Sequence, residues 1–223
     1  MIEDPALTLK KVCNLGEPVT MENAQEMLAQ SELIDNLLTD PKQKPNTFVG
    51  IRAYEWRLLE LSEIPFTHIV EKVQNWCELL RNKTSIPEGF SLTGKKDGVL
   101  ACHNALITLI FTRMQCDKEV IDKGINWILD YQSVERGKEC TWTGTDLFTR
   151  FGGCMKKIPC YYGVVKSMVA LTEYKERFGS SQEIDSKLRR GLEYILRHRV
   201  FKRLSTDTPI EPSIIKNFYP YTY

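Results

Sequence analysis

Between Leu100 and Met114 almost every side of a helical wheel is apolar: Leu100, Ala101, Ala105, Leu106, Ile107, Leu109, Ile110 and Phe111. A helix with no polar face cannot lie on a surface, so it needs neighbours on more than one side. The next segment supplies one of them. Asp117 stands at an N-cap position, and Lys118 to Tyr131 is amphipathic, with Val120, Ile121, Ile125, Ile128 and Leu129 inward and Lys118, Glu119, Asp122 and Asp130 outward. An inner helix followed by an amphipathic partner is the unit from which the rest of the chain is read.

The same plan recurs on both sides. Val49 to Leu61 is helical by period, with Ile51, Tyr54, Leu58 and Leu61 on one stripe, and Pro65 stops it. Thr67 to Asn82 follows, capped by Thr67, with Ile69, Val70, Val73, Trp76, Cys77 and Leu80 buried. Thr84 to Gly98 is rich in glycine and lysine and reads as a loop. Tyr161 to Lys175 is a further inner-type helix through Val164, Val165, Met168, Val169, Leu171 and Thr172. Ser181 to Val200 is its amphipathic partner, with Ile184, Leu188, Leu192, Ile195 and Leu196 buried. Gln132 to Pro159 is long, irregular and rich in Gly and Thr, a length that usually serves function. Ahead of all this, Glu22 to Leu38 suits one or two short helices, and Asp40-Pro41 and Lys44-Pro45 break the pattern. Residues 1–46 therefore read as a helical arm and residues 47–223 as a repeat domain. Trp56, Trp76 and Trp127 are assigned to the core, and His68 and His198 to the surface or to caps.

A formal charge of +1 over 223 residues provides no field to attract nucleic acid. No run of about 18 apolar residues is present, so no transmembrane segment is expected. Met1 to Lys11 carries Glu3 and Asp4 and no apolar h-region, so no secretory signal is expected and the location is cytoplasmic. Seven cysteines, an odd number, argue against a disulfide framework in such a chain.

The second helices of the three pairs align: Thr67 to Trp76, Lys118 to Trp127 and Asp185 to Tyr194, each closing on an aromatic. Helix pairs of this size stack into a continuous core. Three stretches carry a family likeness. One joins Cys102-His-Asn-Ala-Leu to Gly124-Ile-Asn-Trp-Ile-Leu-Asp-Tyr-Gln; the others are Cys160 to Leu171 and Arg190 to Arg199. Over Phe48 to Tyr223 the chain resembles the prenyltransferase and squalene-cyclase repeat family, and more narrowly its small bacterial and archaeal members with cysteines near inner-helix starts. The resemblance implies an all-α fold: an α/α toroid-like set of helix-pair repeats, here a partial, open toroid. The family's Gln-x-x-Asp-Gly-x-Trp signature survives as Gln132, Gly137 and Trp142, with Glu135 near the usual Asp. Its Asp-x-Asp-Asp acid motif and its Asp-x-Cys zinc element are absent. Three or four helix pairs do not close a ring, which leaves an open crescent, a truncated product, or self-association through open repeat ends.

In a toroid every inner helix begins at the same end. Cys102 starts one inner helix, Cys140 lies in the loop returning to that end, and Cys154 and Cys160 precede or open the next helix. Four thiolates suit tetrahedral zinc, and helix N-termini favour thiolate; the alternative is small apolar core residues. His103, Trp142, Phe148, Tyr161 and Tyr162 are the candidate cavity lining, His103 as a metal ligand, as an acid–base group or as a structural residue. The cluster Arg189, Arg190, Arg197, His198, Arg199, Lys202 and Arg203 reads as a solvated helix end, with a phosphate-binding role as the alternative. Catalytic residues are not assigned. Two functions stand open: a prenyltransferase/squalene-cyclase-like α/α-toroid protein acting as a binding or scaffold module for an apolar small molecule or protein partner, with zinc as a candidate cofactor; or an isoprenoid-processing enzyme, a terpenoid cyclase or prenyl transferase.

Overall fold

The computed structural model describes residues 3–137, 142 and 159–215. The chain divides into two units, one formed by Met1–Lys83 with Arg113–Cys116, the other by Thr84–Thr112 with Asp117–Tyr223. The boundary expected between residues 46 and 47 falls inside the first unit.

In the first unit, α1 (Pro5–Asn14), α2 (Met21–Ala29), α3 (Glu32–Leu37), α4 (Phe48–Ser62) and α5 (Glu71–Thr84) follow one another. Their starts are set by side-chain caps: Thr20, Ser31 and Thr47 accept from the amides of Asn23, Ile34 and Gly50 at 3.1–3.2 Å. The helix α1 was not anticipated by the hydrophobic pattern. Its start is a local effect, with Pro5 preset for a first helical turn and Asp4 accepting from the Ala6 amide. The stripe Ile51, Tyr54, Leu58 and Leu61 is buried as its period requires, and Tyr54 meets Trp76 edge-on at 5.4 Å. Trp56 is only half-buried, contrary to its core assignment. Thr67 does not cap α5. It lies in a 3-10 turn (Thr67–Ile69), its hydroxyl donating to the carbonyls of Leu61 and Ile64, and extended Val70 separates it from the helix.

In the second unit, the expected loop after Thr84 contains a hairpin, β1 (Ser85–Ile86) antiparallel to β2 (Gly89–Phe90). Burial drives it: Phe90 is fully enclosed and stands edge-on to Phe111 at 5.1 Å. Then come α6 (Ala101–Arg113), α7 (Lys118–Tyr131), α8 (Tyr161–Phe178) and α9 (Gln182–Arg197). Only Cys102 and Arg113 of α6 escape full burial, as its uniformly apolar sequence demands. Asn104 fastens it on two sides, accepting from the Phe90 amide at 3.0 Å and donating to the Gly124 carbonyl at 3.1 Å. Asp117 occupies the N-cap of α7 without a side-chain capping bond. The helix α8 differs from α6: Val169 is 40 % exposed and Thr172 is exposed, so it is amphipathic rather than enclosed. On α9 the buried stripe is Ile184, Leu188, Gly191 and Tyr194, while Leu192 and Leu196, expected inside, are 49 % and 67 % exposed. The aromatic at position 194 takes the inward place instead.

Among the described residues the structure is helical apart from that hairpin and one isolated bridge, Lys202 to Pro209, in agreement with the all-α class. No helix among them is long and apolar enough to cross a membrane.

Candidate functional site

The start of α6 and the start of α8 lie side by side. A Cβ added to Gly163 would stand 2.8 Å from the Ala101 Cβ and 3.0 Å from Gln132 Oε1. Glycine at this position lets the first turn of α8 close on the first turn of α6 and on the end of α7. The C-terminal turn of α9 reaches the same end, since the Tyr161 ring lies 5.3 Å from that of His198 and the Tyr161 hydroxyl donates to the Val200 carbonyl.

Two groups of side chains gather there. The first is aromatic. Trp142 meets Tyr131 at 4.7 Å and Trp127 at 5.7 Å, both edge-on, and Lys96 Nζ stands 4.8 Å over the Trp142 ring. The indole nitrogens of Trp127 and Trp142 and the Oε1 of Gln132 are buried with no hydrogen-bond partner among the described residues. Gln132 is otherwise engaged: Nε2 donates to the Ser133 carbonyl, and its own carbonyl accepts from Lys187.

The second group surrounds His198. This side chain is 5 % exposed, against the surface assignment made from sequence. Its ring packs on Tyr161 and, at 4.7 Å, on Tyr194. Nδ1 lies 2.8 Å from the Lys202 carbonyl, which can only accept, so in the neutral ring Nδ1 carries the proton and Nε2 keeps its lone pair. Nε2 is buried and has no partner among the described residues. Burial and the neighbouring Tyr194 push the Tyr161 phenol up to about 12. Burial also raises the Tyr194 phenol; Arg136, hydrogen-bonded to it, works the other way, and Cys160 adds to the rise. Both phenols are therefore neutral donors at physiological pH.

Of the candidate ligands, Cys160 is the N-cap of α8 and Cys102 lies in the first turn of α6; both are half-buried. His103 is buried at 6 % exposure, Tyr161 is buried and Tyr162 is half-buried. Cys140, Cys154 and Phe148 lie outside the described residues. Among the described residues no group of three or more His, Cys, Asp or Glu side chains is placed to hold a metal ion. Sequence reasoning missed His198, Tyr194, Gln132 and Lys96 as members of this end. For His198 the signal was present, four positions after Tyr194 and in line with the buried stripe of α9.

This arrangement offers buried hydrogen-bonding atoms of both kinds among aromatic rings, a chemistry suited to holding an apolar body with a polar head. No family model, curated protein or solved structure matches the chain.

Proposed function

We propose that this chain is a helical-repeat binding module, akin to the α/α-toroid proteins of the prenyltransferase and squalene-cyclase family. Its ligand is an apolar small molecule bearing one polar group, held where α6 and α8 begin. The observation that carries this reading is the trio of buried atoms without a partner among the described residues, Trp127 Nε1, Trp142 Nε1 and Gln132 Oε1, beside the Trp127–Tyr131–Trp142 cluster. An unpaired buried polar atom costs about 1–3 kcal/mol, and a ligand hydroxyl donating to Gln132 or accepting from an indole N–H removes that cost. The repeat itself is supported by Gly124 and Gly191. They occupy the same place in the aligned second helices, and each meets the preceding helix, at Thr108 and Met168 respectively.

Titration with farnesol, an isoprenoid chain with a single hydroxyl, tests the reading through tryptophan emission. A saturable change is expected, with Trp142→Phe weakening binding by about tenfold, the equivalent of roughly 1.4 kcal/mol. Absence of any saturable change sinks the proposal. Release of inorganic diphosphate from farnesyl diphosphate would instead favour the isoprenoid-processing enzyme. Zinc held by Cys102, Cys140, Cys154 and Cys160 belongs to the same proposal; one equivalent by elemental analysis supports it, and none removes it.

A further inference from the structure

Besides its buried stripe, α9 carries a second apolar line that faces solvent. Leu192 and Leu196, one turn apart, are 49 % and 67 % exposed. Beyond the helix, Val200 and Leu204 keep the same spacing in sequence and are 59 % and 49 % exposed. The backbone holds this line open. The helix ends in a Schellman turn, in which the Arg199 amide donates to the Leu196 carbonyl at 2.8 Å and the Val200 amide to the Ile195 carbonyl at 3.1 Å. Arg199 takes the left-handed place at φ +46°, where glycine is usual, and Val200 follows at φ +70°. A β-branched residue at positive φ is strained, and such strain persists only where the surroundings enforce it. Here the Tyr161 hydroxyl holds the Val200 carbonyl, and His198 Nδ1 holds the Lys202 carbonyl. In such turns the residue in the place of Val200 commonly packs back on the last helical turn. Val200 instead keeps most of its side chain in solvent.

The field around this line is positive. Residues 189–204 hold six Arg and Lys and one acid, Glu193, in a chain whose formal charge is +1. Glu135 pairs with Arg190, and Asp207 serves both Arg199 and Lys202. Arg197 is exposed and has no ion pair among the described residues. Arg189 is exposed as well, and Asp185, one turn before it, is taken by Lys175 at 2.7 Å. We propose that the outer side of α9 and the turn after it, residues 189–204, are a docking surface for an anionic lipid bilayer. Leu192, Leu196, Val200 and Leu204 enter the boundary between headgroups and acyl chains, and Arg189 and Arg197 pair with the lipid phosphates and carboxylates. Arginine suits that place, because its stem lies along apolar chains while its head stays at the charged level. The shape favours a bilayer over a protein. A partner helix is received by a groove, whereas Leu196 protrudes, and a protruding ridge is what a bilayer accepts. A second copy of the chain fits worse, since facing two such ridges sets cations against cations.

The test is sedimentation of the full chain with vesicles. The probes are phosphatidylcholine alone and phosphatidylcholine with about one quarter phosphatidylserine. Binding to the anionic vesicles is expected in about 0.1 M salt, with little to the neutral ones and a marked loss in about 1 M salt. Leu192→Asp with Leu196→Asp should lower the partition coefficient about tenfold or more, since two apolar anchors are lost and two repelled charges added. Both positions are exposed, so the melting temperature of this variant should stay close to that of the wild type. Arg189→Gln with Arg197→Gln leaves the apolar line intact and should weaken binding to anionic vesicles alone. Leu196→Met should retain it. The proposal is overturned if the chain stays in the supernatant with anionic vesicles, if neutral vesicles take it up equally, or if both double variants bind as the wild type does. A dimer in solution that the paired aspartates dissolve would give the ridge to a second copy, and overturns it too.

Discussion

At the scale of single residues, Gly124 and Gly191 show how one missing methyl sets the spacing of two helices. A Cβ on Gly124 would collide with Thr108 Oγ1 and come within 2.8 Å of the Phe90 ring. Neither neighbour can give way. The Thr108 hydroxyl is tied at 2.7 Å to the Asn104 carbonyl, and Phe90 is fully enclosed. The nearest atoms to a Cβ on Gly191 all belong to the side chain of Met168, which has three rotatable bonds and a deformable sulfur. The two substitutions should therefore differ although both are Gly→Ala in the interior of a helix. Gly124→Ala is expected to cost about 1–3 kcal/mol through overpacking. In Gly191→Ala the gain in helix propensity, about 1 kcal/mol, offsets most of the strain. Urea unfolding of both variants checks this, and equal losses would refute the assignment of rigidity to the Thr108–Phe90 side.

At the scale of elements, Asp4 joins two helices that packing alone would leave loosely registered. Its carboxylate accepts from the Ala6 amide at the start of α1 and from the Ser31 hydroxyl and the Leu33 amide at the start of α3, at 2.6–3.0 Å. Burial by itself would raise its pKa, but the hydrogen bonds from Ser31, Leu33, Ala6 and Leu7 outweigh it and hold the carboxyl below the usual range. A carboxyl with a lowered folded pKa binds protons less readily when folded, so its contribution is present above the unfolded pKa and is lost as pH falls through the folded one. Asp4→Asn should flatten the decline in stability of the wild-type chain between about pH 5 and pH 2. Its cost at pH 7 should be about 1 kcal/mol, as for a lost helix cap. An unchanged slope in acid melts would show that the network contributes nothing.

The contrast with what the sequence revealed is instructive at this scale. The periodic stripes of α4 and α7 were legible because burial there repeats every three or four residues, and α6 was legible because it is apolar on every side. The helix α1 was not, because its start depends on a cap and a proline rather than on a stripe. The exposure of Leu192 and Leu196 was not, because Tyr194 and His198 hold the inward positions of α9 and an apolar count cannot rank them. The site was legible in the same uneven way. The helix starts carrying Cys102 and Cys160 follow from topology and His198 from its place on the α9 stripe, whereas Gln132 and Lys96 join through three-dimensional contacts that no spacing announces.

At the scale of the whole molecule, the chain contributes to its first unit twice, from Met1–Lys83 and again from Arg113–Cys116. The second contribution is short, yet two of its side chains tie it to the rest of the unit. Arg113 neutralises Glu63, which also takes Lys10 at 3.2 Å, and Met114, 6 % exposed, covers Thr67. A fragment of residues 1–83 retains α1 to α4 and nearly all of α5, but it loses each of these. Removing a buried methionine alone costs about 2–5 kcal/mol, and Glu63 would lose its ion pair with Arg113. The fragment is therefore expected to unfold at a lower urea concentration than the same helices in the full chain, with Trp76 as the reporter in a Trp56→Phe background and Trp127 and Trp142 replaced by Phe in the full-length protein. Coincident midpoints for Trp76 in the two would mean that Arg113–Cys116 adds nothing to the first unit. A lower midpoint in the fragment, recovered in part by Glu63→Gln, would assign a share of the loss to the carboxylate deprived of Arg113 and the remainder to the uncovered Thr67.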